Sequence, residues 1–225
     1  MMIHPDFLAS LARDRSAALM AAAEARRRTR QTTTTTKIKI KATNDLASSR
    51  PPVRLRDGSA VLIRPVRKTD APLLADGFAR LSERSRWTRF LGRKSTLTDA
   101  DLRFYTDVDH HDHEALGALD HVRGGGVGVA RYVRDRDCPD AAEIAVTIVD
   151  DWQGRGLGTE LVARLSDRAR QEGIRRFTAV VAEGNTAAAG LLRSSGASLI
   201  HRGSGVAEYE LELTGAPAEA SWGKE

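Results

Sequence analysis

The feature that most constrains this chain is a glycine-rich turn that joins a strand pattern to a helix pattern. Residues 145–149 before the turn are apolar and mostly β-branched, which predicts a buried strand. After residue 156, leucine and valine recur at three- and four-residue steps, which predicts an amphipathic helix that ends near Gly173. A helix that begins at such a turn has unpaired backbone N–H groups and partial positive charge at its start. Because glycine has no Cβ, an anion can also approach the backbone closely, so the turn predicts a site for a phosphorylated cofactor.

The spacing within the turn excludes two common nucleotide-binding motifs. Gly154, Gly156 and Gly158 alternate with other residues and do not give the G-x-G-x-x-G spacing of a dinucleotide fingerprint. No G-K-[ST] ending follows, as a nucleoside-triphosphate loop requires. The pattern that remains is Q-x-x-G-x-G, with Gln153, Gly156 and Gly158 in register.

The remaining patterns from residue 53 onward predict an α/β (α+β) domain. Turn residues between two apolar runs at 53–63 indicate a hairpin. The other predicted elements are helices at 70–81 and 98–105, strands at 114–121, 127–134 and 143–149, a strand at 176–182, a helix at 185–195, and strands at 198–202 and 207–213. This order predicts a mixed sheet with helices on both faces.

The positive charge of the chain is confined to its first 50 residues. They hold ten Lys or Arg against four Asp or Glu, whereas residues 51–225 hold 25 against 26. Residues 1–50 are expected to form a basic amphipathic helix followed by a polar linker. Docking of this segment on the domain or a partner is favoured over contact with nucleic acid or an anionic membrane. The expected domain spans residues 51–215, and residues 216–225 form a C-terminal tail.

A single cysteine, Cys138, excludes an internal disulfide and fits a reducing, cytoplasmic location. No apolar run reaches the length of a membrane span, so no transmembrane segment is expected. The acidic and histidine-rich run at 107–113 lacks the spacing of a metal site, and no metal is expected. It is expected instead to form a polar loop at the mouth of the substrate site.

The Q-x-x-G-x-G pattern resembles the acetyl-coenzyme A pyrophosphate loop of the GNAT superfamily of N-acetyltransferases. The resemblance extends over residues 53–213 and includes Asn185-x-x-Ala188-x-x-Leu191 and Gly196. It implies a splayed, mostly antiparallel sheet with acetyl-CoA in the gap, held by main-chain contacts at Ile148 and Val149. The residues implied for the rest of the acetyl-CoA site are Gln153, Gly154, Arg155, Gly156, Leu157, Gly158, Thr159 and Asn185. Asn185 is equally well explained as an ordinary helix N-cap.

The catalytic expectation rests on the strand that leads into the turn. An amine must lose a proton to attack a thioester, and a lysine ammonium has a pKa near 10.4, so a general base is needed. The strand around Glu143 is similar to that of bacterial Pat-like protein lysine acetyltransferases, as are Arg64-Pro65 and the run 150–153. This resemblance implies that Glu143 is the base, although a strand-end surface charge is the alternative. His110 is a second candidate for the base.

One position departs from the family pattern. Many GNAT enzymes carry a tyrosine that protonates the leaving thiolate, and the corresponding residue here is Leu192. Trp87 with Arg84, Arg86 and Arg89 is expected on the acceptor side, and such an arginine-rich wall keeps acceptors other than lysine open.

The resulting prediction is an acetyl-CoA-dependent N-acetyltransferase that acts on a primary amine, with a protein lysine favoured. The alternatives are a small-molecule amine acetyltransferase and a catalytically weak module that senses acetyl-CoA or docks on a partner.

Overall fold

The computed structural model describes residues 51–214, so the predicted basic helix and linker at 1–50 and the predicted tail at 216–225 lie outside it. Eight strands form one sheet in the order β1-β2-β3-β4-β5-β6-β8-β7. The strands are β1 (Val53–Arg54), β2 (Ala60–Pro65), β3 (His113–Asp120), β4 (Gly126–Arg134), β5 (Ala141–Ile148), β6 (Arg176–Ala182), β7 (Ser198–Gly203) and β8 (Val206–Glu212). Within residues 51–214, β5 and β6 are parallel and all other neighbouring strands are antiparallel.

Five α-helices cover the two faces of this sheet in the described part of the chain. They are α1 (Ala71–Ala79), α2 (Glu83–Phe90), α3 (Asp99–Thr106), α4 (Leu157–Gln171) and α5 (Thr186–Ser194). The first three lie on one face, and α4 lies on the other with α5 beside it. The predicted mixed, mostly antiparallel sheet with helices on both faces is confirmed.

The core lies between α4 and the middle of the sheet. Leu157, Leu161 and Leu165 follow the helical repeat and are at most 1 % exposed. They pack against side chains from alternate positions of the strands, such as Tyr132 on β4. This packing fixes the start of α4 against β5, and so it sets the position of the glycine-rich turn between them.

Three α-helices lie between β2 and β3, whereas the sequence patterns predict two. The helix that was not predicted is α2. Its sequence is rich in arginine and has few apolar residues, so it lacks the periodic apolar stripe that identifies a helix. Its start is nevertheless encoded locally: the Ser82 hydroxyl accepts a hydrogen bond from the Ser85 N–H at 3.2 Å. Leu91, in the left-handed region with φ of 49°, ends it.

Candidate active site

A wedge-shaped gap opens in the middle of the sheet, where β5 and β6 separate. The two strands pair only at residues 141–143 of β5 and 176–178 of β6. Beyond Glu143 and Thr178, both continue without pairing to each other, β5 to Ile148 and β6 to Ala182. The gap belongs to a cleft with a volume of about 580 Å³ that reaches the glycine-rich turn and α5.

The edge of β5 that faces the gap is polar main chain. The Val149 N–H donates to the Val127 carbonyl on β4 at 3.0 Å, so odd-numbered residues of β5 direct their main-chain groups toward β4. The alternating residues, Ile144, Val146 and Ile148, therefore direct theirs into the gap. An elongated ligand with amide groups could pair with this edge as an added strand does.

The glycine-rich turn presents N–H groups at the far end of the cleft. The first main-chain hydrogen bond of α4 runs from the Glu160 N–H to the Gly156 carbonyl, so the amides of residues 157–159 precede the helical pattern. Gly154 and Gly156 have φ of 74° and 91°, which few residues other than glycine adopt. Together with the helix dipole, this end of the cleft suits a phosphate or pyrophosphate.

The third glycine of the turn has a packing role. A Cβ at Gly158 would lie 3.0 Å from a methyl group of Leu191 on α5. Because this is closer than ordinary van der Waals contact, Gly158 lets α5 approach the start of α4. Two helices thereby form one wall of the cleft.

The β1–β2 hairpin fixes the turn from outside. The Arg56 N–H donates to the Arg155 carbonyl at 3.1 Å, and the Arg155 guanidinium contacts the Asp57 carboxylate at 2.9 Å. The Arg56 side chain lies along the turn and lines the cleft, and its stem comes within 3.3 Å of where a Cβ on Gly156 would be. A cationic side chain therefore stands beside the proposed anion site.

Asp150 connects the turn to α2. Its carboxylate accepts hydrogen bonds from the Ser82 N–H at 2.7 Å, the Ser82 hydroxyl at 3.0 Å and the Ser85 hydroxyl at 2.6 Å. Burial acts to raise the pKa of Asp150, but the hydrogen bonds from Ser85 and Ser82 outweigh it and lower the pKa. The charged carboxylate thus holds the start of α2 over the cleft.

Glu143 lies at the point where the strands separate. It is half-buried, lines the cleft and is the last β5 residue that pairs with β6. By strand alternation its side chain is on the same face as Thr147, toward α1–α3. A carboxylate at the apex of the gap is suitably placed to accept a proton from an amine that enters from that face.

The acetyltransferase (GNAT) domain model matches residues 60–198 of the chain, which include the gap, the turn and α5. The chain belongs to the GNAT acetyltransferase family. The acetyl donor of this family is acetyl-CoA, and the polar strand edge, the N–H groups of the turn and the adjacent arginine fit its amide-bearing arm and pyrophosphate.

Two curated relatives support the assignment. The chain is 31 % identical to acetyltransferase Pat from Mycolicibacterium smegmatis over 162 residues. The aligned region covers 72 % of this chain and 48 % of Pat. It is 39 % identical over 136 residues to acetyltransferase PA5475 from Pseudomonas aeruginosa, and this alignment covers 59 % of this chain and 72 % of PA5475. The chain therefore aligns with about half of the length of Pat.

Solved structures agree in fold. The GNAT domain of PAT from S. lividans superposes with a TM-score of 0.68 at 29 % identity, covering 72 % of this chain and 96 % of that domain. The protein yncA from Salmonella typhimurium, solved with acetyl-CoA, superposes with a TM-score of 0.55 at 22 % identity, and the superposition covers 71 % of this chain and 99 % of yncA.

In this GNAT domain, most of the residues implied for catalysis or acetyl-CoA binding line one cleft. The group comprises Glu143, Ile148, Gln153, Gly154, Gly156, Gly158, Thr159 and Asn185. Gln153 faces β5, since its amide donates to the Ile148 carbonyl at 3.1 Å. Asn185 caps α5 by accepting from the Ala188 N–H at 3.0 Å, which is the N-cap role considered from the sequence.

Three other implied residues do not line the cleft. Val149 directs its N–H to β4, as described above, and Leu157 is a core residue, 1 % exposed. The Arg155 guanidinium is held by Asp57 and lies over the Trp152 ring at 4.8 Å. Of these three, only the main-chain amides of Arg155 and Leu157 belong to the turn that faces the anion site.

The acceptor side differs from the sequence expectation in part. Arg84 and Arg89 line the cleft, but the Arg86 guanidinium turns away to donate to the Ala79 carbonyl at 2.8 Å. Trp87 lies on the outer side of α2, 38 % exposed, and does not line the cleft. Arg131, which belongs to no recognisable motif, approaches the same side from β4.

Leu192, the residue that corresponds to the family tyrosine, lines the cleft. Tyr209 is 2 % exposed on β8, and its hydroxyl contacts the Arg193 guanidinium at 3.2 Å. It does not line the cleft, so it does not replace the missing tyrosine.

The run 107–113 forms a structural loop and does not line the cleft, contrary to expectation. The Asp109 carboxylate accepts from the N–H groups of His111, Asp112 and His113 at 2.9–3.0 Å. His110 contacts the buried Glu114 at 2.7 Å, away from the cleft. Among residues 51–214, no group of three His, Cys, Asp or Glu could hold a metal ion, and no helix is long and apolar enough to cross a membrane.

Proposed function

We propose that this domain transfers the acetyl group of acetyl-CoA directly to a primary amine, with a protein lysine as the favoured acceptor. The observation that carries the proposal is the position of Glu143 at the apex of the gap between β5 and β6. The resemblance to Pat-like protein lysine acetyltransferases supports lysine as the acceptor.

Glu143 acts as the general base in this proposal. It removes a proton from the acceptor nitrogen, directly or through a water, as the new C–N bond forms and the C–S bond breaks. The main-chain edge of β5 and the amides of the turn orient the donor, because a bound geometry close to that of the reaction lowers the entropic barrier. With Leu192 lining the cleft, the leaving thiolate takes its proton from water.

A comparison of the wild type with Glu143→Gln tests this role. Thiol release from acetyl-CoA would be followed with a panel of lysine peptides, and acetyl-CoA affinity would be measured by calorimetry. General-base catalysis contributes about 10²- to 10⁴-fold, so kcat should fall by that factor with an unchanged dissociation constant. A variant as active as wild type would exclude Glu143 as the base.

A small amine is a second candidate acceptor. Arg89 and Arg131 on the acceptor side have no acidic partner among residues 51–214, and two such cations do not favour a positively charged lysine side chain. Normal acetyl-CoA binding without thiol release from any amine would instead support the sensing or interaction role. A domain that does not bind acetyl-CoA would contradict the proposal as a whole.

A further inference from the structure

A second, smaller pocket lies beneath α1–α3 on the face of the sheet opposite α4. Its volume is about 90 Å³, and most of its wall is apolar, with Leu73, Phe78 and Tyr105 among the lining residues. The floor is formed by Val129 and Arg131 of β4. We call this site the acceptor pocket.

Arg131 is a buried cation without an acidic partner among the described residues. The residue is 5 % exposed. The guanidinium donates to the His113 Nε2 at 3.1 Å and the Tyr105 carbonyl at 3.3 Å, and it lies over the Tyr105 ring at 4.5 Å. Because a guanidinium has no acceptor atom, His113 must present an unprotonated nitrogen to it. These partners are all uncharged and leave the positive charge of Arg131 uncompensated.

Arg89 on α2 adds a second charge of the same sign. Its Nε donates to the Thr147 hydroxyl at 3.0 Å, and among residues 51–214 it has no carboxylate partner. Burial lowers the pKa of Arg131 to about 10, and the nearby Arg89 acts in the same direction. Arg131 therefore stays charged near neutral pH.

The one carboxylate that lines the pocket is already occupied. Asp70 accepts from both terminal nitrogens of Arg64, at 2.6 and 2.8 Å, and from the Arg67 N–H at 2.8 Å. The pocket wall thus contains three arginines and one aspartate, an excess of two positive charges. A buried charge is costly unless it is paired, so such an excess favours an anionic ligand.

We propose that the acceptor pocket binds a carboxylate carried by the acceptor itself. The acceptor is then a primary amine that bears a carboxylate on a short, partly apolar frame: a free amino acid, or a lysine beside an acidic residue. This inference rests on the proposed acetyltransferase function and specifies its substrate class.

The acceptor pocket and the cleft are adjacent. Arg89, Phe90 and Thr147 line both. Arg131 on β4 lies opposite Ala145 on β5. Glu143 precedes Ala145 by two residues, so its side chain is on the same face of the sheet. A carboxylate at Arg131 would therefore leave the amine of a short molecule close to Glu143.

The test compares matched acceptors that differ only in charge. One arm uses free amino acids and their α-amides, and the other uses lysine peptides with Asp or Asn beside the lysine. The wild type should use the acid of a pair with a KM about 10- to 100-fold lower, the range expected for a charge-assisted hydrogen bond. Arg131→Met should abolish this difference between acid and neutral acceptor, and Arg131→Lys should retain part of it.

Several controls keep the inference testable on its own. Arg123→Met, in the exposed turn between β3 and β4, should behave as wild type, and Arg89→Met is a second variant if Arg131→Met does not fold. Calorimetric titration of isovalerate and isovaleramide measures carboxylate binding without turnover, so it separates this inference from the acetyltransferase reaction. A preference for the acid in either arm that Arg131→Met removes, or tighter binding of isovalerate that Arg131→Met removes, supports the pocket. Equal treatment of acids and amides by the wild type, or a preference that survives in both arginine variants, overturns it.

Discussion

In the proposed function, the two halves of the site bind their ligands by different means. The acetyl-CoA half uses main-chain groups: the free edge of β5 and the amides of residues 154–159. The acceptor half uses side chains from distant elements, with Arg89 on α2, Tyr105 on α3 and Arg131 on β4. Main-chain binding depends on backbone geometry and tolerates many side chains, whereas side-chain binding changes with single substitutions. The first half therefore suits a co-substrate common to the family, and the second suits an acceptor that differs between members.

The largest effect should follow a backbone change in the acetyl-CoA half. Gly156→Glu places a side chain where φ is 91° and adds a carboxylate beside the turn, so the acetyl-CoA dissociation constant should rise by at least about 100-fold. Calorimetry measures it. Gly156→Ala carries the strain without the charge and should be intermediate.

Gly190→Ala is the matched control for the glycine substitutions. A Cβ at Gly190 on α5 would have no neighbour within 4 Å, and its φ is not positive. It should bind acetyl-CoA as wild type does and be about 0.5–1 kcal/mol more stable. An equal loss of binding in Gly190→Ala and Gly156→Glu would show that the turn has no special role.

The next largest effect should follow the replacement of Asp70 in the acceptor half, which should lower the free energy of unfolding and change its pH dependence. Burial acts to raise the pKa of Asp70, but the hydrogen bond and charge of Arg64 and the Arg67 N–H outweigh it and lower the pKa. The folded pKa then lies below the unfolded one, so Asp70 stabilises the fold above about pH 4, and this contribution is lost as the pH falls through the folded pKa. Asp70→Asn should cost about 2–4 kcal/mol at pH 7, because Arg64 is left uncompensated.

Chemical denaturation at pH 7 and below pH 4 tests the role of Asp70. The free energy of unfolding should fall less with acid in Asp70→Asn than in wild type. The same change in the free energy of unfolding with pH in both proteins would contradict this role of Asp70.

A smaller effect should follow at the connection between the two halves. Asp150→Asn keeps the shape but removes the charge that accepts from Ser82 and Ser85. We expect a loss of about 1–2 kcal/mol, seen as a lower thermal midpoint of roughly 2–8 °C. An unchanged midpoint would mean that these hydrogen bonds do not hold α2.

The smallest effect should come from the side chain of Arg56, because the acetyl-CoA half binds mainly through main-chain groups. Arg56→Gln removes one partly solvated charge beside the turn, so acetyl-CoA affinity should fall only a few-fold and less in high salt. A loss as large as that of Gly156→Glu would contradict the division between the two halves.

The same division explains what the sequence could predict. The turn was predictable because its glycines, the strand before it and the leucines after it are contiguous and follow standard periodicities. Arg131 was not, since it looks like an ordinary charge within a strand, and its partners His113 and Tyr105 lie in other elements. The helix α2 was missed for a related reason: the contacts that hold it, Asp150 with Ser82 and Ser85, join residues far apart in the chain.

Backbone amide NMR of the domain with and without acetyl-CoA tests the central claim most directly. Binding in the gap predicts that the amide signals of Ile144, Val146 and Ile148 and of residues 154–159 shift, while those of α3 and the β3–β4 turn stay in place. Shifts centred on α3, or no shifts at saturating acetyl-CoA, would contradict the account.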